Sequence, residues 1–309
     1  LVTGAGGFIG REVLRALASD QGAQVIAVDT GFKGMVPTPR LQLVAGNIAD
    51  PVVRSTAIGS GIDAVIHLAA VPGGAAELDP QLSRQVNLDA TLDLFDAVAQ
   101  GGNRPRVVFA STIAVFGETL PKAGVDDATP LAPRLIYGAH KAMIETMLAT
   151  WHRRGALNGI AVRLPGVIAR PKGPSGLKSA FMSNLFHALR EGQPFVSPVS
   201  RAATIWLMSV HQVARNLVHA LYVEDHSLPA GRALTLPALC VDWSALIAEV
   251  AARTGSPVSA VTFEPDAALE AAFGAYPPLA TVAGDRAGFV PDRDVATLVS
   301  RALEQIARA

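Results

Sequence analysis

Leu1-Val2-Thr3-Gly4-Ala5-Gly6-Gly7-Phe8-Ile9-Gly10 opens the chain and reads as a short strand, a glycine-rich turn and the first turn of a helix. Backbone that must bend tightly, pass close to a pyrophosphate and then pack a helix on a strand has no room for Cβ atoms at those three points. Gly4, Gly7 and Gly10 satisfy the frame G-x-x-G-x-x-G, whereas the stricter G-x-G-x-x-G frame fails because its last position falls on Ile9. Gly4, Gly7, Phe8, Ile9 and Gly10 are therefore the expected wall of a dinucleotide pyrophosphate site.

Asp29 closes the next apolar run, 19 residues after Gly10, where a carboxylate accepts hydrogen bonds from the adenosine ribose hydroxyls. A carboxylate there repels a 2′-phosphate, so the expected cofactor is NAD rather than NADP.

Outward from that turn, short β-branched runs alternate with longer segments of helical period, the pattern of a parallel sheet covered by helices. The strands are expected at 1–3, 24–28, 41–44, 64–68, 106–110 and 159–163, and the helices at 8–19, 81–100 and 137–154. Past Arg163, the residues Pro165, Pro171, Gly173, Pro174 and Gly176 mark a long loop leaving the sheet. Helical patterns near 178–191, 210–223, 242–254 and 291–308, with a short strand at 233–236, follow it. The fold class is α/β: a doubly wound parallel sheet over 1–164, rejoined by part of 203–232, with a smaller α/β substrate-binding domain over 165–309.

The 309 residues are 50% hydrophobic and carry 26 basic and 26 acidic side chains without long runs of either sign. Nothing in that balance suits nucleic acid or an anionic membrane surface. No stretch reaches the roughly 20 apolar residues of a membrane span. Cys240 is the single cysteine, which rules out an internal disulfide and fits a reducing cytoplasm; it reads as a small buried hydrophobe. The chain begins at Leu1 inside a strand, so residues are expected before it. No metal is expected.

Several segments together carry a resemblance: the glycine turn, Gly46-Asn47-Ile48, His67-Leu68-Ala69-Ala70, Val86-Asn87-Leu88-Asp89 and Tyr137-Gly138-Ala139-His140-Lys141. In this order and spacing the chain resembles the extended short-chain dehydrogenase/reductases over its whole length. The resemblance implies a Rossmann domain with NAD, with Asn47 and Ile48 beside the adenine and Leu68, Ala69 and Ala70 along the cofactor. Asn87 and Pro165 are implied to touch the cofactor too. His67 reads as a satisfied strand-end histidine rather than a catalyst.

Tyr137 and Lys141 stand four apart on the expected helix, so both side chains leave the same face. Lowering a phenol from its ordinary pKa of about 10 to near neutrality takes roughly 4 kcal/mol of preferential phenolate stabilisation. A nearby ammonium and a positively charged nicotinamide ring are the charges that supply it. The family's catalytic hydroxyl falls on Thr112, five residues before Gly117, with Ser111 the alternative one step away. By resemblance, Tyr137 removes the substrate's hydroxyl proton, Thr112 holds that oxygen, and Lys141 binds the nicotinamide ribose.

Departures within the family narrow the reaction. Sugar-nucleotide dehydratases place Asp and Glu after the catalytic Thr, where this chain has Ile113 and Ala114, which transfer no proton. The residues with which epimerases grip a diphosphate are replaced by Arg163-Leu164-Pro165-Gly166 and Thr204-Ile205-Trp206-Leu207-Met208-Ser209. These segments, with Arg170-Pro171 and Leu234-Thr235-Leu236-Pro237, are similar to family members that oxidise a four-carbon sugar acid next to its carboxylate. Two positions depart from those members: Thr204 stands where an Arg is usual, and Gly73-Gly74-Ala75 where polar residues are. Gly73 and Gly74 are expected to face the substrate. A carboxylate wants a guanidinium or ammonium, and the candidates are Arg170, Lys172, Arg201 and Arg134. Trp206 is either a pocket wall or plain core. An epimerase with unconsumed NAD and a non-catalytic NAD sensor remain the alternatives, and self-association as a homodimer through 81–100 and 138–154 is implied by resemblance.

Overall fold

The structure is a computed structural model that describes residues 1–20, 22–59, 61–117, 119–173 and 178–308. Its strands are β1 (Val2–Thr3), β2 (Val25–Asp29), β3 (Leu41–Ala45), β4 (Ala64–His67), β5 (Arg106–Thr112), β6 (Asn158–Leu164), β7 (Gly166–Ile168), β8 (Phe195–Ser197), β9 (Thr204–Ser209), β10 (Ala233–Thr235), β11 (Leu239–Asp242) and β12 (Val261–Phe263).

Seven strands form one sheet in the order β10-β6-β5-β4-β1-β2-β3, with every neighbouring pair parallel. Strand order reverses between β1 and β4. In open α/β sheets that crevice, outside the carboxyl ends of the strands, is where ligands sit. The glycine turn leaves β1 at this point. Both faces of the sheet are apolar and covered. Val13, Leu17, Val108, Val162, Val213 and Leu217 pack one side; Val65, Leu94, Phe95, Val107, Phe109, Ile144 and Leu148 pack the other.

The smaller region holds a three-stranded sheet, β11-β9-β7, and the pair β12-β8. Helices Phe181–Arg190, Trp243–Thr254 and Val295–Arg308 close over a second core that includes Phe181, Leu185, Ile205, Trp243 and Leu298. No described helix is long and apolar enough to cross a membrane.

Four expectations change. The strand near 233–236 belongs to the central sheet, not the smaller domain: Ala233, Leu234 and Thr235 pair with Ala161, Val162 and Arg163. Together with helix Val210–His219 it is the returning segment. The single helix expected over 81–100 is broken into an α-turn at Pro80–Ser83, a π-helix at Arg84–Asp89 and an α-helix at Ala90–Ala99. A helix at Pro51–Ile58, capped by the Asp50 side chain on the Val52 amide, joins β3 to β4 where none was expected. Cys240 is exposed, because β11 is the edge strand and alternate residues on it face outward. Of the expected loop, Pro174 and Gly176 lie outside the described residues.

Candidate active site

Gly4 has φ +67°, and a Cβ there would stand 2.7 Å from the Ala69 amide nitrogen. A Cβ on Gly10 would stand 2.2 Å from the Gly4 carbonyl oxygen. These two glycines are thus required by close backbone approach, at the turn and where the helix meets it. Gly7, by contrast, caps helix Phe8–Ala18, whose first turn has no side-chain cap and no acidic residue. Its amides therefore face outward unneutralised, the arrangement that suits an anion. Phe8 and Ile9 pack against the core beneath. Asp29 ends β2 and accepts from the Gly6 and Gly31 amides, each at 3.0 Å, which fixes its carboxylate beside the turn. Gly6 was not expected to matter sterically, yet a Cβ on it would meet the Gly31 carbonyl oxygen at 2.0 Å.

Of the two residues expected beside the adenine, Asn47 is exposed and folds its side chain back onto the Ala49 amide at 2.9 Å. Ile48 is buried in the core. After β4, the Leu68 and Ala69 amides both donate to the Thr3 hydroxyl at 3.3 Å. Ala70 follows them. Asn87 lies in the π-helix and is buried, accepting from the Val71 amide at 2.7 Å and donating to the Val71 carbonyl at 2.9 Å. Its amide is spent on holding this loop. His67 is buried between Thr3 (2.7 Å) and Thr91 (2.9 Å), and burial pulls its pKa down to about 3. It is a neutral structural histidine, as its position at a strand end suggested.

Tyr137 lies in the first turn of helix Ile136–Arg153. That helix reaches the end of β5 because residue 138 is glycine: a Cβ there would stand 2.6 Å from the Ala114 carbonyl oxygen. Thr112 ends β5 half-buried, and its hydroxyl accepts from the Ala114 amide at 3.1 Å. Ser111 points to the opposite side, as consecutive strand residues must. It is buried and donates to Glu145 at 2.5 Å, so its hydroxyl is engaged on that side of the strand and Thr112 projects from the other.

Lys141 is buried; its ammonium donates to the Ala110 carbonyl at 2.8 Å and lies 5.6 Å from the Tyr137 ring centroid. Burial pulls its pKa down to about 7, and the nearby Glu145 carboxylate opposes that. For Tyr137 the expected depression is absent in the protein by itself: burial pushes the phenol up, and the Arg170 cation works against burial. Glu145 was not foreseen. It forms a buried ion pair with Arg163, 2.7 Å between Oε2 and Nη2, and the repeat of 137, 141 and 145 on one helical face was the available signal.

The substrate candidates separate cleanly. A Cβ on Gly73 would stand 3.7 Å from Tyr137, so this glycine faces the phenol, and Gly74 follows in the short helix Gly73–Leu78. Glu77 of that helix accepts from the Ile136 amide at 2.7 Å and so caps the tyrosine helix. Arg170 is half-buried, with its backbone held by Ser183 (3.0 Å) and His187 (2.7 Å). Its guanidinium makes no ion pair among the described residues, although Arg106, Arg163, Arg232 and Arg301, which are similarly withdrawn from solvent, all pair with carboxylates. Lys172 pairs with Glu191 at the surface, Arg201 is exposed and lies over the Phe263 ring at 4.2 Å, and Arg134 is exposed. Trp206 is fully buried with Val115, Phe116 and Val125, and its indole donates to the Pro277 carbonyl at 2.7 Å; it is core. Pro165 is buried directly after β6.

Comparison with known proteins agrees with this layout. The family model described as NAD dependent epimerase/dehydratase family matches residues 1–228. A D-erythronate dehydrogenase from Cupriavidus necator is 33% identical over 288 residues, 90% of this chain and 89% of the relative. One from Haemophilus influenzae is 29% identical over 283 residues, with the same shares covered. Among solved structures, a nucleoside-diphosphate-sugar epimerase from Agrobacterium tumefaciens superposes with a TM-score of 0.87 at 28% identity, covering 98% of this chain and 92% of that one. The chain therefore belongs to the NAD dependent epimerase/dehydratase family, the extended short-chain dehydrogenase/reductases, and is an NAD-dependent enzyme of that kind.

Proposed function

We propose that this protein is a dehydrogenase that oxidises the hydroxyl-bearing carbon next to the carboxylate of a small sugar acid, D-erythronate or a close relative. The observation that carries the reading is Arg170, a half-buried cation whose charge acts on Tyr137 and which has no carboxylate partner among the described residues, with the Lys141 ammonium 5.6 Å from the same Tyr137 ring. The two relatives named D-erythronate dehydrogenase support it.

The residues fit NAD. The glycine turn leaves a cradle that a Cβ at Gly10 would fill, the helix behind it offers uncapped amides to a pyrophosphate, and Asp29 stands ready for the ribose hydroxyls. NAD, when bound, would supply the hydride acceptor and a positive charge on its nicotinamide ring. Tyr137 takes the proton from the substrate hydroxyl as general base, and Thr112 holds the same oxygen. Lys141, buried 5.6 Å from the Tyr137 ring centroid, would hold the nicotinamide ribose and, in its ammonium form, favour the phenolate. Arg170 grips the substrate carboxylate with two parallel hydrogen bonds, and its charge also favours the phenolate. Ile113 and Ala114, which follow Thr112, offer no group to expel water, so dehydration is disfavoured.

The reading includes a homodimer. Leu78 (83% exposed), Leu82 (41%), Met143 (50%) and Met147 (38%) lie on helices packed against each other, an apolar face that a second copy would cover.

The test offers purified protein NAD or NADP with a panel of three- to six-carbon sugar acids and follows the absorbance of reduced nicotinamide. Acid-dependent NADH formation, lost in Tyr137→Phe, is the expected result. A flat trace across all acids, with sugar nucleotides interconverted at constant NAD, would assign the protein to the epimerases instead.

A further inference from the structure

Directly below Lys141 on its helix lies a charged group that the proposed reaction does not touch. Glu145 is one turn on, 5% exposed, with its carboxylate held by three side-chain groups. The Arg163 Nε donates at 3.0 Å, Arg163 Nη2 at 2.7 Å, and the Ser111 hydroxyl at 2.5 Å. Arg163 is in turn fixed over the Phe116 ring at 5.1 Å. Two charges this deep are costly to desolvate, and replacing such a pair by apolar residues is often neutral or stabilising. Stability alone is thus a poor explanation for its presence.

The surroundings of Lys141 show what the pair can do. From its own helix it faces Tyr137 and Glu145. From β5 it meets the Ala110 carbonyl and, at 4.5 Å, the Phe109 ring. From β4 the neighbouring titratable group is His67, which is neutral. Arg163, on β6, contributes through Glu145. The Glu145 carboxylate favours the charged form of Lys141 against burial. The pair is therefore a fixed pair of charges whose carboxylate stands one helical turn from Lys141 and binds Ser111, the residue next to the Ala110 carbonyl that holds the ammonium. Ser111 follows Ala110, so one strand segment anchors both Lys141 and Glu145.

We propose that Glu145 is a positioning residue whose carboxylate, locked by Arg163 and Ser111, is the fixed negative charge that favours the ammonium form of Lys141 behind Tyr137. The proposal deepens the dehydrogenase reading and rests on it for its catalytic meaning. Without that charge, burial moves Lys141 further toward the neutral amine, which no longer favours the phenolate.

The chain has five lysines, so lysine labelled with carbon-13 at Cε gives a countable set of signals, with Lys141 assigned by Lys141→Arg. In the cofactor-free protein the Lys141 signal should titrate near neutrality. In Glu145→Gln, which keeps the shape and removes the charge, its midpoint should fall by about one pH unit, a tenfold change in the protonation equilibrium. Glu145→Asp should bring it partly back. Glu191→Gln, at the surface pair with Lys172, should leave it in place. If Glu145→Gln does not fold, Glu145→Leu combined with Arg163→Met removes the charge pair at conserved apolar volume and should lower the midpoint in the same direction. A Lys141 midpoint unmoved in whichever of these variants folds would overturn the proposal. The titration needs no substrate, so it stands or falls separately from the reaction. In turnover, the acid limb of the kcat profile should move to higher pH in Glu145→Gln; a fall in rate with an unmoved limb would mean a merely structural role.

Discussion

Tyr137 and Lys141 meet because four residues of helix bring side chains back to one face, and that relation could be read directly from the sequence. Thr112 and Ser111 could not be ranked the same way, since the choice depends on which face of β5 each takes. The strand alternation turns Ser111 onto Glu145 and leaves Thr112 on the other side. Arg170 was one of four possible cations, and nothing local distinguishes it. Its selection comes from tertiary structure: helix Phe181–Arg190 pins its backbone while no described carboxylate reaches its guanidinium. If it grips the substrate, Arg170→Met should raise KM for the acid by about 10- to 100-fold, the scale of a lost charge-assisted hydrogen-bonded contact. The rise in KM should exceed the fall in kcat. Steady-state kinetics measure both, and an unchanged KM would remove Arg170 from the carboxylate site.

At the scale of elements, the strands of the first half were legible because buried parallel strands read as short apolar runs between turn residues. The strand Ala233–Thr235 was seen, but its place was not, because its partner β6 lies some 70 residues earlier and no local pattern records such pairing. The π-helix at Arg84–Asp89 was also hidden: its apolar spacing still looks helical, yet the extra residue in the turn lets Asn87 reach the Val71 backbone. The helices bearing Met143, Met147, Leu78 and Leu82 carry the dimer expectation at this scale. Sedimentation velocity should find a dimer, and Met143→Glu with Met147→Glu should give a folded monomer, because two charges would then enter an apolar contact. A monomeric parent protein would contradict that assembly.

For the molecule as a whole, the order β10-β6-β5-β4-β1-β2-β3 sets every proposed role. Thr3, Asp29, His67 and Thr112 all stand at carboxyl ends of parallel strands, so the glycine turn, the carboxylate proposed for the ribose and the hydroxyl proposed for the substrate lie along one edge of the sheet. The smaller region contributes Arg170 from beyond β7. The residues proposed for cofactor and catalysis could be singled out in the sequence because most of them stand at or just after strand ends. The residues proposed for the substrate could not be ranked the same way, because no strand end marks them: Trp206 is packed in a core and Arg201 lies at the surface. The central claim is oxidation at the carbon next to the carboxylate. D-Erythronate carrying deuterium at that carbon, incubated with the protein and NAD, tests it most directly by mass spectrometry of the nicotinamide product. Reduced cofactor bearing the deuterium, together with a 2-keto acid, is the predicted result; unlabelled reduced cofactor, or none formed from any sugar acid, would contradict it.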